Sequence, residues 1–144
     1  MLTKEEDICR MKLLIVDDDP DVNRMLCVML SKNYPTQCII SAPDARAALR
    51  MASAVQPDIF LLDVFMPGCS GIELSAQLMS QNKNRIIIHM CEAKDYELIN
   101  SCYEAGSKYY VCKPIDFEKL FFKLDALMVD MFYKRFYKGR RSQY

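Results

Sequence analysis

Two short apolar runs in this chain break off at aspartate. Leu13-Leu14-Ile15-Val16 runs into Asp17, Asp18 and Asp19, and Ile59-Phe60-Leu61-Leu62 runs into Asp63. A strand buried on both faces reads as a continuous apolar run rather than an alternating one. Carboxylates at the exits of two such strands place negative charge at the carboxyl edge of a sheet, where open α/β folds hold their ligands.

The rest of the pattern alternates between strands and helices. Lys12 to Val16 reads as the first strand. Pro20 opens a helix at a position where its missing N–H does no harm, with Asp19 as cap and Met25, Leu26, Met29 and Leu30 on one stripe. Gln37 to Ile40 reads as a second strand, and Ser41 with Asp44 as a capping box for a helix through Ala45, Ala48, Leu49 and Ala52. Asp58 to Leu62 is the third strand, followed by a helix from Gly71 or Ile72 with Leu74, Leu78 and Met79 inward. Arg85 to Met90 is a fourth strand. Asp95 to Ala105 is a fourth helix ended by Gly106. Lys108 to Cys112 is a fifth strand, and Asp116 caps a last helix with Leu120, Leu124, Leu127 and Met131 on one face. Five βα units imply a parallel sheet with helices on both sides, so the residues that follow the strands gather at one edge.

The chain has 144 residues, 51% of them hydrophobic and 26% charged, with zero formal net charge. The length suits one domain, and the charge balance supplies no global field toward nucleic acid or membrane. Seven cysteines, an odd number with no CxxC pair, argue against a disulfide framework. Several sit inside apolar runs, where free cysteine behaves as a small hydrophobe. A cytoplasmic, reducing compartment and no transmembrane segment are the expectation. A zinc site lacks both the ligand spacing and the histidines, since His89 is the single histidine. By sequence, residues 1–9 read as a charged extension and 10–130 as the domain. Residues 131–144 read as a basic and aromatic extension of the last helix, with Phe132, Tyr133, Phe136 and Tyr137 among Lys134, Arg135, Lys138, Arg140 and Arg141.

Asp17, Asp18 and Asp63 are therefore expected to converge. Two carboxylates ~4 Å apart repel by about 4 kcal/mol at an effective dielectric of 20. Such a cluster needs a cation or must take up protons. Mg²⁺ suits oxygen-only ligands and accepts a phosphoryl oxygen, and an aspartate can itself attack phosphorus to form an acyl phosphate. Lys113, after the fifth strand, can neutralise a phosphate oxygen at the same edge.

With these residues in place the chain resembles the receiver domains of two-component response regulators, over about residues 11 to 130. Receivers carry an acidic pair after the first strand, matched by Asp17 and Asp18. They carry D-x-x-M-P-x-x-x-G after the third, matched by Asp63, Met66, Pro67 and Gly71, and Lys-Pro after the fifth, matched by Lys113-Pro114. The resemblance implies a flavodoxin-like (βα)5 doubly wound sheet of strand order 2-1-3-4-5. It implies that Asp63 accepts a phosphoryl group from a histidine kinase or phosphotransfer protein. Asp18, Asp63 and the backbone carbonyl of Phe65 would hold Mg²⁺ directly, and Asp17 through a water. Lys113 would bind the phosphoryl group, and the Lys113–Pro114 peptide would be cis. Output would pass by contact with an unidentified protein, without direct nucleic-acid binding and with a homodimer possible. The chain itself would be a stand-alone signalling module rather than an enzyme acting on an outside substrate.

One element departs from the family. Most receivers end the fourth strand with threonine or serine, whereas this chain reads His89-Met90-Cys91-Glu92. Gap-free counting from Gly106 and Lys113 puts Cys91 at that position and is the preferred count, while the alternative count puts Met90 there. A thiol is a weak donor and a thioether is none. Tyr110, three before Lys113, matches the aromatic partner of the missing hydroxyl. A degenerate receiver that works as a phosphorylation-independent interaction module is the second reading. A phosphatase of the haloacid dehalogenase type fits worse, because Asp21 stands where its DxDx[TV] signature wants threonine or valine. Phe65, beside Asp63, is expected to slow attack by water on an acyl phosphate.

Overall fold

The structure is a computed structural model. It describes residues 11–92 and 94–141, the side chains of 135–141 excepted. Five strands form one parallel sheet: β1 (Leu13–Val16), β2 (Ile39–Ala42), β3 (Ile59–Asp63), β4 (Ile86–Cys91) and β5 (Ser107–Cys112), in spatial order 2-1-3-4-5. The helices between and after them are α1 (Pro20–Leu30), α2 (Ala45–Val55), α3 (Gly71–Gln81), α4 (Tyr96–Glu104) and α5 (Phe117–Arg141). The strand order reverses between β1 and β3. A crevice forms at such a point because the flanking connections leave in opposite directions.

The period of two in the strands divides the core into layers. Leu13, Ile15, Leu61, Ile88 and Met90 face α1 and α5, meeting Leu26, Leu30, Leu120 and Leu124. Leu14, Val16, Phe60, Leu62 and Ile87 face the other way, onto Ala48, Ala52, Leu74 and Leu78. All residues of β1 and β3 are buried, which is why neither strand alternates in polarity. At ~1.5–3 kcal/mol for each fully buried aliphatic side chain, these layers dominate the drive to fold.

Several local expectations change. The second strand starts later, at Ile39, after a 3-10 turn over Thr36–Cys38. Ser41 is inside that strand, opposite Ile15, so it cannot cap α2. Asp44 caps α2 alone, its carboxylate accepting the Ala47 N–H at 2.8 Å. The inward stripe of α1 is Asn23, Leu26 and Leu30, whereas Met25 is 46% exposed. Asp19 caps α1, with Pro20 in its first turn, and Asp95 caps α4. Ser70, unnoticed in the sequence, caps α3 by accepting the Glu73 N–H at 3.1 Å. The helix α5 runs without a break past residue 130 to Arg141. The proposed extension at 1–9 lies outside the described residues, as do the side chains of Arg135, Phe136, Tyr137, Lys138, Arg140 and Arg141. Among the described residues, no helix is long and apolar enough to cross a membrane.

Candidate functional site at the carboxyl edge

Register brings the acids together. Val16 pairs with Leu62, so the next residues, Asp17 and Asp63, leave β1 and β3 side by side. Asp63 pairs with Met90, and Met90 with Val111, which carries Lys113 to the same edge two residues on. Ligand oxygens of Asp17, Asp18 and Asp63 all lie within 4.8 Å of one another.

Lys113 ties the cluster across the sheet. Its Nζ donates to Asp17 Oδ2 at 2.6 Å and to Asp63 Oδ1 at 3.2 Å. Its backbone N–H donates to Cys91 O at 2.9 Å, and the Lys113–Pro114 peptide is cis. Asp17 is buried, and its Oδ1 also accepts the Asp19 N–H at 3.0 Å. Asp18 is exposed. Asp63 is 6% exposed. Burial, then the charge of Asp17, pushes its pKa from the ordinary 3.8 up to about 6, although Lys113 pulls the other way. Burial works against the charge on Lys113. Its hydrogen bond to Asp17 and the charges of Asp63 and Asp17 outweigh that and hold its pKa above the ordinary lysine value. Three carboxylates face one ammonium, so full ionisation leaves 3 − 1 = 2 uncompensated negative charges. That excess, offered by oxygens alone, suits a hard divalent cation such as Mg²⁺.

The β3–α3 loop frames the cluster. Phe65 is 61% exposed, whereas Met66 is buried in the layer beneath α2 and α3. Pro67 is exposed, and its carbonyl accepts the Cys69 N–H at 3.0 Å. Gly71 returns the chain against β3, donating its N–H to Val64 O at 2.9 Å. A Cβ there would stand 2.1 Å from the Asp63 carbonyl oxygen, so only glycine fits this approach. His89, fully buried on β4, meets Gly71 O through Nε2 at 3.1 Å and so pins the start of α3. Burial holds its pKa below the ordinary histidine range, in favour of the neutral ring.

Met90 and Cys91 part company. Met90 turns into the layer under α5, among Leu61, Leu120 and Leu124. Cys91 is buried at the end of β4 with Val64 and Cys102, and its thiol shares a hydrogen bond with the Tyr110 side chain. Burial and that bond keep the phenol un-ionised, its pKa well above the ordinary tyrosine value. Cys91 is thus the residue that meets Tyr110.

Asn23 went unnoticed in the sequence. Its Nδ2 donates to Asp17 O at 2.7 Å and Ala42 O at 3.2 Å, clamping the exits of β1 and β2 to α1. A polar residue at an inward position of an amphipathic helix, six after Asp17, was the available signal.

An acidic trio bridged by a lysine thus stands at the switch point of a doubly wound parallel sheet, the edge at which open α/β folds hold their ligands. A family model described as the response regulator receiver domain matches residues 13–125, and the chain belongs to that family. The chain is 35% identical over 115 residues to the transcriptional regulatory protein YdfI of Bacillus subtilis, covering 80% of this chain and 54% of the relative. It is 32% identical over 118 residues to the two-component response regulator PhoP of Pseudomonas aeruginosa, covering 82% and 52%. The chain therefore spans about half the length of these curated relatives. The fold superimposes on the Vibrio cholerae chemotaxis protein CheY4 with a TM-score of 0.74 at 27% identity, covering 81% of this chain and 97% of that one.

Proposed function

We propose that this chain is the phosphoacceptor of a two-component phosphorelay, with Asp63 as the nucleophile. The observation that carries this reading is the lysine bridge: one ammonium bonded to Asp17 and Asp63, with Asp18 exposed beside them. An Asp63 oxygen attacks the phosphorus of a phosphohistidine on a histidine kinase or phosphotransfer protein. The P–N bond breaks, the imidazole leaves with the electron pair, and an acyl phosphate remains on Asp63. Lys113 can leave its carboxylate partners for the incoming phosphoryl oxygen without crossing the site. Asp18 and Asp63 would hold Mg²⁺ with the Phe65 carbonyl, and Asp17, already engaged by Lys113 and Asp19, would reach it through water. Bound Mg²⁺ would supply positive charge that lets Asp63 stay ionised and an anionic phosphoryl group approach. The carboxyl edge keeps the nucleophile on rigid strand ends, and exposed Phe65 limits the approach of water.

Phosphorylation would then shift a two-state equilibrium of the face formed by α4, β5 and α5, reported through Cys91 and Tyr110. Output is by protein contact, in the cytoplasm, with the chemistry confined to its own phosphorylation and dephosphorylation. The deciding assay is Mg²⁺-dependent labelling by a small phosphodonor, lost in Asp63→Asn. An unlabelled wild-type protein would sink the proposal.

The buried Cys91 thiol, in place of the usual hydroxyl, favours a second reading: an interaction module that signals without phosphate. Under that reading, beryllofluoride with Mg²⁺ leaves the NMR resonances of α4 and Tyr110 unmoved. Under the first, they shift.

A further inference from the structure

At the amino end of the sheet, away from the acids, the loops before β3 and β4 and the start of β5 meet α5 around a cavity of about 620 Å³. That volume suits a nucleotide-sized ligand. Pro57, Ile86, Leu127 and Met131 give it an apolar lining. The charged lining residues are Lys83, Arg85, Lys108 and Lys134 against Asp58 and Asp130. Asp130 pairs with Lys134 at 3.0 Å, and Asp58 accepts the Lys12 backbone N–H at 3.0 Å. Among the described residues, Lys83, Arg85 and Lys108 are left without a carboxylate in a salt bridge.

Arg85 is the unusual member. It is only 7% exposed, yet Nη1 donates to two neutral acceptors, Leu78 O at 3.0 Å and Gln81 Oε1 at 2.9 Å, and Nε is buried without a partner. Its guanidinium lies 5.7 Å from the centre of the Phe60 ring. The carboxyl end of α3 and the Phe60 ring answer this cation in part but carry no full negative charge, so an anion nearby would further offset its desolvation. The two lysines beside it are mobile point charges suited to phosphate.

We propose that this cavity is a second ligand site that takes a phosphate-bearing small molecule of nucleotide size. The phosphates lie between exposed Lys83 and Lys108, with Arg85 behind them at the end of α3, and the flat apolar body lies against Ile86 and Met131. The site is independent of Asp63 chemistry, being at the opposite edge.

The test is titration of the full chain, by NMR with chelator present, with ATP, inorganic triphosphate and adenosine as probes. The expected result is saturable ATP binding that weakens with salt. Shifts should gather at residues 82–86, 108 and 127–131, with triphosphate and adenosine each at least tenfold weaker. Lys83→Gln with Lys108→Gln, both at exposed positions, should weaken ATP at least tenfold while Asp63 labelling and stability stay unchanged. Asp63→Asn should leave ATP binding unchanged. No saturation by ATP, shifts confined to the Asp17–Asp63 edge, or indifference to the double variant overturns the proposal and leaves these cations as complements to the carboxyl end of α3. Triphosphate binding as tightly as ATP overturns the role given to the apolar wall.

Discussion

Replacing Asp63 by asparagine should make the metal-free protein more stable at neutral pH, although it removes the proposed reactive group. The folded pKa of Asp63 stands at about 6 against an ordinary 3.8, raised by burial first and by Asp17 second. The folded state therefore holds the Asp63 proton more tightly than the unfolded chain does. Between those two values the native state binds more protons, so stability falls as pH rises through the window. Above the folded pKa the whole cost of charging the site is present; below the unfolded pKa none of it is. A shift of about 2 units at about 1.4 kcal/mol per unit gives a cost of roughly 3 kcal/mol at about pH 7.5. The attraction of Lys113 is already included in that net shift, and asparagine keeps an oxygen for the ammonium. Urea unfolding in chelator, at about pH 7.5 and about pH 4, should show Asp63→Asn ahead by ~1–3 kcal/mol at the higher pH and by no more than ~0.5 kcal/mol at the lower. Adding Mg²⁺ should close the gap, because a cation bound by wild type alone stabilises it in proportion to its occupancy. A variant less stable than wild type in chelator, or a gap that does not change with pH, would refute this account of the site.

Four further outcomes follow from the geometry. Lys113→Ala strands buried Asp17 beside Asp63 and should cost ~3–5 kcal/mol near neutrality, a deficit that shrinks in acid as Asp63 protonates; a pH-independent loss in urea melts would contradict the lysine bridge. Gly71→Ala drives a Cβ into the Asp63 carbonyl, 2.1 Å away, and should cost at least ~2 kcal/mol in unfolding free energy; an unchanged midpoint would mean that the loop yields freely. Asn23→Leu removes the donor to Asp17 O and Ala42 O and should cost ~1–3 kcal/mol, with amide exchange quickened at Asp17, whose N–H donates to Ala42 O. Phe65→Asn should leave stability within about 0.5 kcal/mol, since the ring is exposed, while hastening loss of the acyl phosphate; equal hydrolysis rates would remove Phe65 from the mechanism.

How far the sequence could be read depended on where each signal resides. The apolar runs of β1 and β3 were plain because both faces are buried, and no polar residue interrupts them. The start of the second strand is hidden in the sequence because its burial is partial and a 3-10 turn precedes it, so neither periodicity nor length marks it. Apolar chemistry alone places Met25 inward, whereas Asn23 takes the inward position because Asp17 O and Ala42 O need a donor there. That need exists only after β1 and β2 have paired.

By itself the sequence determined the parallel α/β class and the set of groups available for chemistry: Asp17, Asp18, Asp63 and Lys113 at strand exits. Strand polarity and exit position are local properties, so spacing along the chain suffices to place them at one edge. The tertiary structure alone decided their electrostatics. Lys113 meets Asp17 and Asp63 across 96 and 50 residues of chain, and burial by packed neighbours, not residue type, lifts the pKa of Asp63 to about 6. It also separates Met90 from Cys91. Adjacent residues of a strand face opposite sides, and only the packing of α4 and β5 around one side brings Cys91 to Tyr110.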